Sequence, residues 1–195
     1  MDNTKKWEIT PLRVRVFNKE RMMPRSGASI DLSKKSILLI GCGSVGGEIA
    51  YKLGATGIGR LSMYDPDLYS LDNLYRHVLE PGFQGFNKAQ ALSFQLKAKY
   101  PWIQSEYGTD KLLNLKKKTL LSPFDLIIIA IESPTHERIF HDYLINNEIQ
   151  TPVINTWLEG YGVGGHATLD IPDSKGCLRC AYVDNNTLTR GLSSI

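Results

Sequence analysis

The segment that most constrains this chain is LIGCGSVGGEIA, at residues 39–50, which places a G-x-G-x-x-G run directly after a short apolar stretch. Residues 36–40 are predicted to form a strand buried on both faces, and a helix is predicted over residues 45–54. A second strand is predicted over residues 60–65, so the three elements form a βαβ unit. Such a unit predicts a parallel sheet.

The rest of the chain continues this alternation of strands and helices. Further helices are predicted over residues 88–100, 111–121 and 135–147, and further strands over residues 102–107, 125–131, 152–157 and 161–169. The last strand carries glycines and is expected to run antiparallel. The sequence therefore predicts an α/β, Rossmann-like fold with a mixed, mainly parallel sheet and helices on both faces. Residues 1–30 are expected to form an N-terminal arm, and residues 31–195 the α/β domain.

Composition excludes several classes of protein. The net charge of +3 gives no support to a nucleic-acid partner. The longest apolar run, residues 126–131, is far shorter than the roughly 18 residues that a membrane span needs. The amino terminus lacks the apolar core of a signal peptide, and three cysteines do not make a disulfide framework. We expect a cytoplasmic protein with no membrane partner.

The glycine run is typical of a site for phosphates. Gly41 permits a tight turn, Gly43 brings backbone close to phosphate oxygens, and Gly46 lets the helix pack on the strand. Ser44 lies in the same turn, beside the free N–H groups of the helix N-terminus. Asp65 closes the second strand, where an acidic side chain accepts hydrogen bonds from ribose hydroxyls. NAD and ATP both carry that ribose, and a glycine-rich turn without a ligand is a further interpretation.

The segment after the second strand favours ATP over NAD. A second carboxylate, Asp67, is followed by Asn73 and Arg76, which share one face of a helical turn, and then by Lys88 near the start of a helix. Fixed cations stabilise the charge that gathers on equatorial oxygens during transfer at phosphorus. Hydride transfer has no such need, so this cluster indicates a triphosphate.

Several short motifs together carry a family resemblance. They read GCGSVG, YDPD, NLYRH, GFNKAQAL, DLIIIAIES and CLRC in this sequence. Through them the chain resembles the ThiF/MoeB/ubiquitin-activating superfamily of adenylyltransferases over roughly residues 32–182. The residues of the GCGSVG, DPD and NLYRH motifs are most similar to those of bacterial ubiquitin-activating-like proteins from antiphage and other conjugation operons.

The resemblance implies an activity, its partners and the roles of the site residues. A C-terminal carboxylate attacks the α-phosphate of magnesium-bound ATP, giving an acyl-adenylate and pyrophosphate. The implied partner is a ubiquitin-like or sulfur-carrier-type protein ending in Gly-Gly, or else a peptide; the modest charge gives no support to a carboxylate on tRNA. Asn73, Arg76 and Lys88 would contact the phosphates and stabilise the transition state, and Asp65 would bind ribose with Asp67 close by. The resemblance also implies that the protein forms a homodimer.

Two metal sites are implied by the same resemblance. Glu132, in the run AIES, stands where an aspartate normally holds Mg²⁺, and a solvated charge at the end of a strand is the alternative. Cys177 and Cys180 have half the spacing of a structural zinc site. No second C-x-x-C pair occurs in the 195 residues, so zinc or two free thiols both stay open. Because the family supplies that second pair further along, we expect the domain to be truncated at its C-terminus.

Two other functions stay open at this point. A non-catalytic partner subunit would keep the fold and lose the chemistry, and the Glu132 substitution and the missing second pair are compatible with it. An NAD-dependent oxidoreductase would explain Gly41 to Asp65 but would leave Asn73, Arg76 and Lys88 without a role.

Overall fold

The computed structural model describes residues 10–174, 176–178 and 180. The helices are α1 (Lys19–Arg25), α2 (Ser44–Thr56), α3 (Lys88–Lys99), α4 (Lys118–Leu121) and α5 (Pro134–Asn146). The strands are β1 (Ser36–Ile40), β2 (Arg60–Tyr64), β3 (Gln104–Gly108), β4 (Leu126–Ile129), β5 (Val153–Leu158) and β6 (Gly165–Asp170). Within this described part, no helix has both the length and the apolar character needed to cross a bilayer.

The strands form one six-stranded sheet in the order β3-β2-β1-β4-β5-β6. Strands β1 to β5 pair in parallel, and β6 pairs antiparallel with β5. Ile40, the last residue of β1, pairs with Tyr64 on one side and with Ile129 on the other. The carboxyl ends of these three strands therefore meet at one edge of the sheet, and the predicted mixed, mainly parallel sheet is confirmed.

Alternation along β1 explains why helices cover both faces of the sheet. Leu39 packs in a buried cluster with Leu92 of α3 and with residues of α2. Its neighbour Leu38 points the other way and packs in a second cluster with Phe140 of α5. A fully buried leucine contributes roughly 1.5–3 kcal/mol of transfer free energy, so each face holds its helices by burial of apolar side chains. Helices on both faces were predicted, and this is confirmed.

The predicted helix over residues 111–121 is wrong as a single element. A 3₁₀ turn covers Leu112–Leu115, and the short helix α4 comes after it. Both Leu112 and Leu121 are buried in the same cluster. At about 100° per residue, an unbroken α-helix would point Leu121 away from Leu112. The break between the two turns returns Leu121 to the core.

The N-terminal arm contains a helix that packs on the domain. Residues 10–18 have no regular structure, and α1 begins after Asn18, whose Oδ1 accepts the backbone N–H of Arg21 at 3.0 Å. Met23 of α1 is buried, and Phe17 stacks on Trp102 with ring centroids 5.1 Å apart. The part of the arm before residue 10 lies outside the described residues.

Candidate nucleotide-binding site

The glycine turn between β1 and α2 depends on two glycines for different reasons. Gly41 has a φ of 93°, and a Cβ there would collide with the carbonyl oxygen of Ala130. Gly43 precedes α2 with a φ of −74°, which any residue adopts, but a Cβ there would stand in open space. Gly41 is therefore required by the turn itself, whereas Gly43 keeps free the space above it.

Asp65 holds the glycine turn in place from the end of β2. Its Oδ2 accepts the backbone N–H of Cys42 at 2.6 Å, and its Oδ1 accepts the backbone N–H of Asp67 at 2.8 Å. Burial raises the pKa of the Asp65 carboxyl, and the two backbone donors oppose that rise. Asp65, predicted as a ribose ligand, thus has a structural task in the free protein that its sequence position did not reveal.

Asn87 organises the approach from β2 to α3, and the sequence analysis gave it no role. Its Nδ2 donates to the carbonyl of Asp65 at 2.6 Å and to that of Asp67 at 3.1 Å. Its Oδ1 accepts the backbone N–H of Gln90 at 3.1 Å, so the same side chain caps α3. An asparagine directly before a predicted helix is an N-cap signal, and this signal could have found it.

Lys88 begins α3 and lines the cavity beside the glycine turn. Its side chain is only 11% exposed, and its Nζ lies 3.1 Å from Oδ2 of Asp67, which is 67% exposed. Its backbone N–H donates to the carbonyl of Asp67 at 3.0 Å. Two contacts with Asp67, one through the backbone and one through the side chain, thus hold the Lys88 ammonium beside the cavity. The exposed Asp67 carboxylate forms an ion pair with it.

Asn73 and Arg76 lie in the turn that connects β2 to α3. Asn73 is 9% exposed, and its Oδ1 accepts both the backbone N–H and the hydroxyl of Ser70 at 3.2 Å. The backbone N–H of Arg76 donates to the carbonyl of Asn73 at 3.1 Å. Among the described residues, no carboxylate pairs with the exposed guanidinium of Arg76. The oxygen of Asn73 is therefore engaged locally, while Arg76 offers its charge to the cavity.

Glu132 lies after β4 in a conformation that glutamate rarely adopts. Its φ is 54°, in the left-handed region, which costs of order 1–3 kcal/mol for a residue of this kind. The next residue, Ser133, donates its backbone N–H to Oε1 of the buried Glu137 at 3.1 Å, which fixes the start of α5. The exposed Glu132 side chain lines the cavity opposite α2.

A cavity of 530 Å³ joins these groups at the carboxyl edge of the sheet. The predicted site residues that line it are Gly41, Gly43, Ser44, Asp65, Asp67, Asn73, Arg76, Lys88 and Glu132. Gly46 lies behind the turn instead, where a Cβ would collide with the carbonyl of Gly41. The segments after β1, β2 and β4 thus converge on one space, although they lie far apart in the chain.

One wall of this cavity contains none of the site residues that were predicted from the sequence. The segment after β3 contributes Asp110, Lys111, Leu112, Leu113 and Asn114, and Tyr64 at the end of β2 lines the same cavity. No motif marks these residues. The available signal was topological, because ligands in open α/β sheets bind outside the carboxyl ends of the strands.

The two cysteines of the CLRC motif lie outside this cavity. Their Sγ atoms are 3.8 Å apart, and the backbone N–H of Leu178 between them donates to Oδ2 of Asp170 at 3.0 Å. Two thiolates on one tetrahedral zinc, with bonds of about 2.3 Å, have nearly this separation. The described residues contain no group of three or more potential ligands, so zinc at Cys177 and Cys180 stays a prediction.

Comparison with models of protein families identifies the family of this chain. The profile of the ThiF family matches residues 19–192, which is most of the sequence. This chain belongs to the ThiF family. The resemblance seen in the sequence motifs is thereby confirmed.

Curated ThiF relatives extend beyond the region that this chain covers. The ATP-dependent ubiquitin transferase-like protein Cap2 of Escherichia coli (strain TW11681) is 28% identical over 176 residues, which are 87% of this chain and 29% of the relative. The adenylyltransferase and sulfurtransferase UBA4 of Debaryomyces hansenii is 26% identical over 173 residues, or 85% of this chain and 37% of the relative. The chain thus spans about a third of the length of these relatives.

A solved structure confirms the ThiF-type fold. Escherichia coli MccB, crystallised with AMPCPP and selenomethionine MccA, superposes with a TM-score of 0.63 at 23% identity. The match covers 80% of this chain and 46% of that one. At this identity the likeness establishes the Rossmann-like architecture and nothing finer.

Proposed function

We propose that this chain binds ATP in the cavity at the carboxyl edge of its sheet and adenylates a C-terminal carboxylate, most readily that of a ubiquitin-like protein. One observation carries the proposal: Arg76 and Lys88 line the same cavity as the glycine turn. Two cations beside a turn with free backbone N–H groups suit a triphosphate. Membership of the ThiF family supports the same chemistry.

The phosphates would lie over the glycine turn. The open space above Gly43 admits phosphate oxygens close to the backbone, and the first turn of the 13-residue helix α2 presents its unpaired N–H groups there. The partial positive charge of the helix N-terminus adds to the attraction. These features bind the ground state and orient the nucleotide for attack.

The reaction joins a carboxylate oxygen to the α-phosphorus and breaks the bond between that phosphorus and the oxygen bridging to the β-phosphate. Pyrophosphate leaves with the bond electrons, and no proton needs to move. Negative charge builds on the equatorial and leaving oxygens, so we assign Arg76 and Lys88 to stabilise it. The amide nitrogen of Asn73 is the donor left after its oxygen bonds Ser70, and we assign it to a phosphate oxygen.

The remainder of the nucleotide would extend along the other walls. Asp65 uses one lone pair of each oxygen for backbone N–H groups, and a carboxylate has further acceptor capacity for ribose hydroxyls. Asp67 lies beside it. The side chains of Leu112 and Leu113 give the wall after β3 an apolar part that suits a nucleobase.

Magnesium fits the residues present. Mg²⁺ is usually bound through one or two carboxylates together with substrate phosphates, so a single protein oxygen ligand in the cavity suffices. Glu132 is the residue that would hold it, since its exposed carboxylate lines the cavity. Bound there, the ion would neutralise charge on the phosphate oxygens.

The substrate class is drawn from the named relatives. Cap2 is described as a ubiquitin transferase-like protein and UBA4 as an adenylyltransferase and sulfurtransferase, and MccB was crystallised with MccA. We therefore place a small protein ending in Gly-Gly first and a peptide carboxylate second.

Isotope exchange between labelled pyrophosphate and ATP tests the proposal. We expect exchange that requires a candidate protein ending in Gly-Gly, and none with the same protein lacking its terminal glycines. If no candidate carboxylate supports exchange and the protein does not bind ATP, the assignment is contradicted.

A non-catalytic nucleotide-binding subunit is the second candidate. It is favoured by the replacement of the usual aspartate by Glu132 and by the neutralisation of Lys88 by Asp67. This function predicts ATP binding without exchange for any carboxylate, whereas an oxidoreductase would bind NADH in preference to ATP.

A further inference from the structure

His77 comes directly after Arg76 and lies against the glycine turn, yet nothing in the proposed chemistry uses it. Its Nε2 lies 2.7 Å from the carbonyl oxygen of Cys42, and its Nδ1 accepts the backbone N–H of Leu79 at 3.1 Å. Because a backbone N–H points at Nδ1, that nitrogen carries no proton. Nε2 must therefore carry the proton and donate it to Cys42.

The two peptide groups that flank Cys42 are thereby each held by a side chain. Asp65 accepts its N–H at 2.6 Å, and His77 donates to its carbonyl at 2.7 Å. The turn around Gly41 would otherwise be free to rotate these peptide groups, since glycine restricts backbone torsion least. His77 also joins the glycine turn to the segment that carries Arg76, so one side chain connects the phosphate-binding backbone with the cation beside it.

We propose that His77 is a positioning residue that, as the neutral Nε2–H tautomer, locks the glycine turn to the Arg76 segment in the geometry that receives the nucleotide phosphates. The inference rests on the proposed nucleotide site. It assigns His77 no contact with the reacting atoms. Its contribution acts through Cys42 on one side and through the backbone of Leu79 on the other.

The surroundings of the ring favour the neutral form. Burial lowers the pKa of His77, the bond to Cys42 opposes that effect, and nearby Lys88 and Arg76 lower the pKa while Asp65 raises it. The ring of Tyr69 packs against it, with the two ring centroids 5.3 Å apart. We call the two hydrogen bonds that His77 makes to the backbone of Cys42 and Leu79 the His77 clamp. Protonation at Nδ1 would set two N–H donors against each other and break the bond to Leu79.

The lowered pKa of His77 determines how stability and nucleotide affinity change with pH. A histidine with a lowered pKa in the folded protein contributes stability that is complete above about pH 6.5 and is lost as the pH falls through the lowered value. The same fall should weaken nucleotide binding, because the turn and the Arg76 segment are no longer held together.

Two substitutions and one control test the clamp by titration with AMPCPP. His77→Phe keeps a ring beside Tyr69 but removes both hydrogen bonds, and we expect about a tenfold or greater loss of affinity near neutral pH. His77→Gln keeps a donor and an acceptor without a titrating group, so its affinity should stay within about threefold of the wild type and should lack the decline that the wild type shows at acidic pH. His166→Gln, outside the cavity, is expected to leave the affinity unchanged.

Nitrogen-15 NMR of the wild-type protein keeps the inference testable if a variant fails to fold. We expect a protonated Nε2, an unprotonated Nδ1 and slow exchange of the Leu79 amide near neutral pH. An Nδ1–H tautomer, or unchanged AMPCPP affinity in His77→Phe, would overturn the inference. The NMR result needs no nucleotide, so a chain that shows the clamp but binds no ATP refutes the proposed function and not the clamp.

Discussion

The backbone N–H of Cys42 donates to Oδ2 of Asp65 at 2.6 Å and so joins the glycine turn to the end of the neighbouring strand. Both groups are buried, where water cannot replace the bond. Strands β1 and β2 are parallel neighbours, so their carboxyl ends already lie side by side, and this bond fixes the position of the turn after β1 relative to the end of β2. The shape of the glycine turn therefore depends on a residue at the end of another strand.

Replacing Asp65 should thus affect stability as well as binding. Asp65→Asn can accept one of the two backbone N–H groups, but its amide sets a donor against the other. We expect a loss of about 1–3 kcal/mol in the free energy of unfolding and weaker ATP binding. Urea unfolding and nucleotide titration measure the two effects, with the exposed Asp72→Asn as a control that should change neither. Unaltered stability in Asp65→Asn would show that the bond to Cys42 contributes little.

The two glycines of the turn should respond differently to alanine. Gly43→Ala adds a methyl group in open space at a negative φ, so the protein should fold with unchanged stability. That methyl would occupy the space in which we propose that a phosphate binds, so we expect about a tenfold or greater loss of ATP affinity. Gly41→Ala should fail to fold, because its φ is positive and its Cβ meets the carbonyl of Ala130. Gly160→Ala, which also adds a methyl in open space, is the control; wild-type affinity in Gly43→Ala would place the phosphates elsewhere.

Removal of either cation should abolish exchange without unfolding the protein. Arg76→Ala and Lys88→Ala are each expected to lower pyrophosphate exchange by about 100-fold or more. The free energy of unfolding should change by no more than about 1 kcal/mol, since Arg76 is exposed and the Lys88–Asp67 pair is largely solvated on the aspartate side. Arg138→Ala and Lys97→Ala, exposed on neighbouring helices, should keep full exchange. Full exchange in both site variants would refute the roles assigned to them.

Glu132 offers a test that separates strain from function. Glu132→Gly should relieve the left-handed backbone and raise the free energy of unfolding by about 1 kcal/mol, while exchange and its magnesium dependence are lost. Glu148 has a similar φ of 51° beyond α5 and away from the cavity. Glu148→Gly should therefore be stabilised equally but retain exchange. Urea unfolding measures the change in stability, and magnesium titrations of pyrophosphate exchange measure the change in function. A normal magnesium dependence of exchange in Glu132→Gly would exclude Glu132 as the magnesium ligand.

The predicted helix over residues 111–121 shows where sequence reasoning fails. Local periodicity there is compatible with a helix, but burial of both Leu112 and Leu121 on one side requires a break. The same break presents Leu113 and Asn114 to the cavity. A wall of the site was therefore missed for the same physical reason that the helix was wrong.

The sequence by itself determined the mixed, mainly parallel sheet, the helices on both of its faces and the glycine turn after the first strand. Apolar runs, helical periodicity and the glycine turn are local signals, and the carboxyl ends of neighbouring parallel strands must meet. Only the tertiary structure decided that Asp65 and His77 hold the backbone of Cys42, that Asn87 ties α3 to the end of β2, and that Glu132 has a left-handed backbone. These are contacts between segments distant in sequence, or a backbone torsion imposed by them, and no spacing along the chain encodes either.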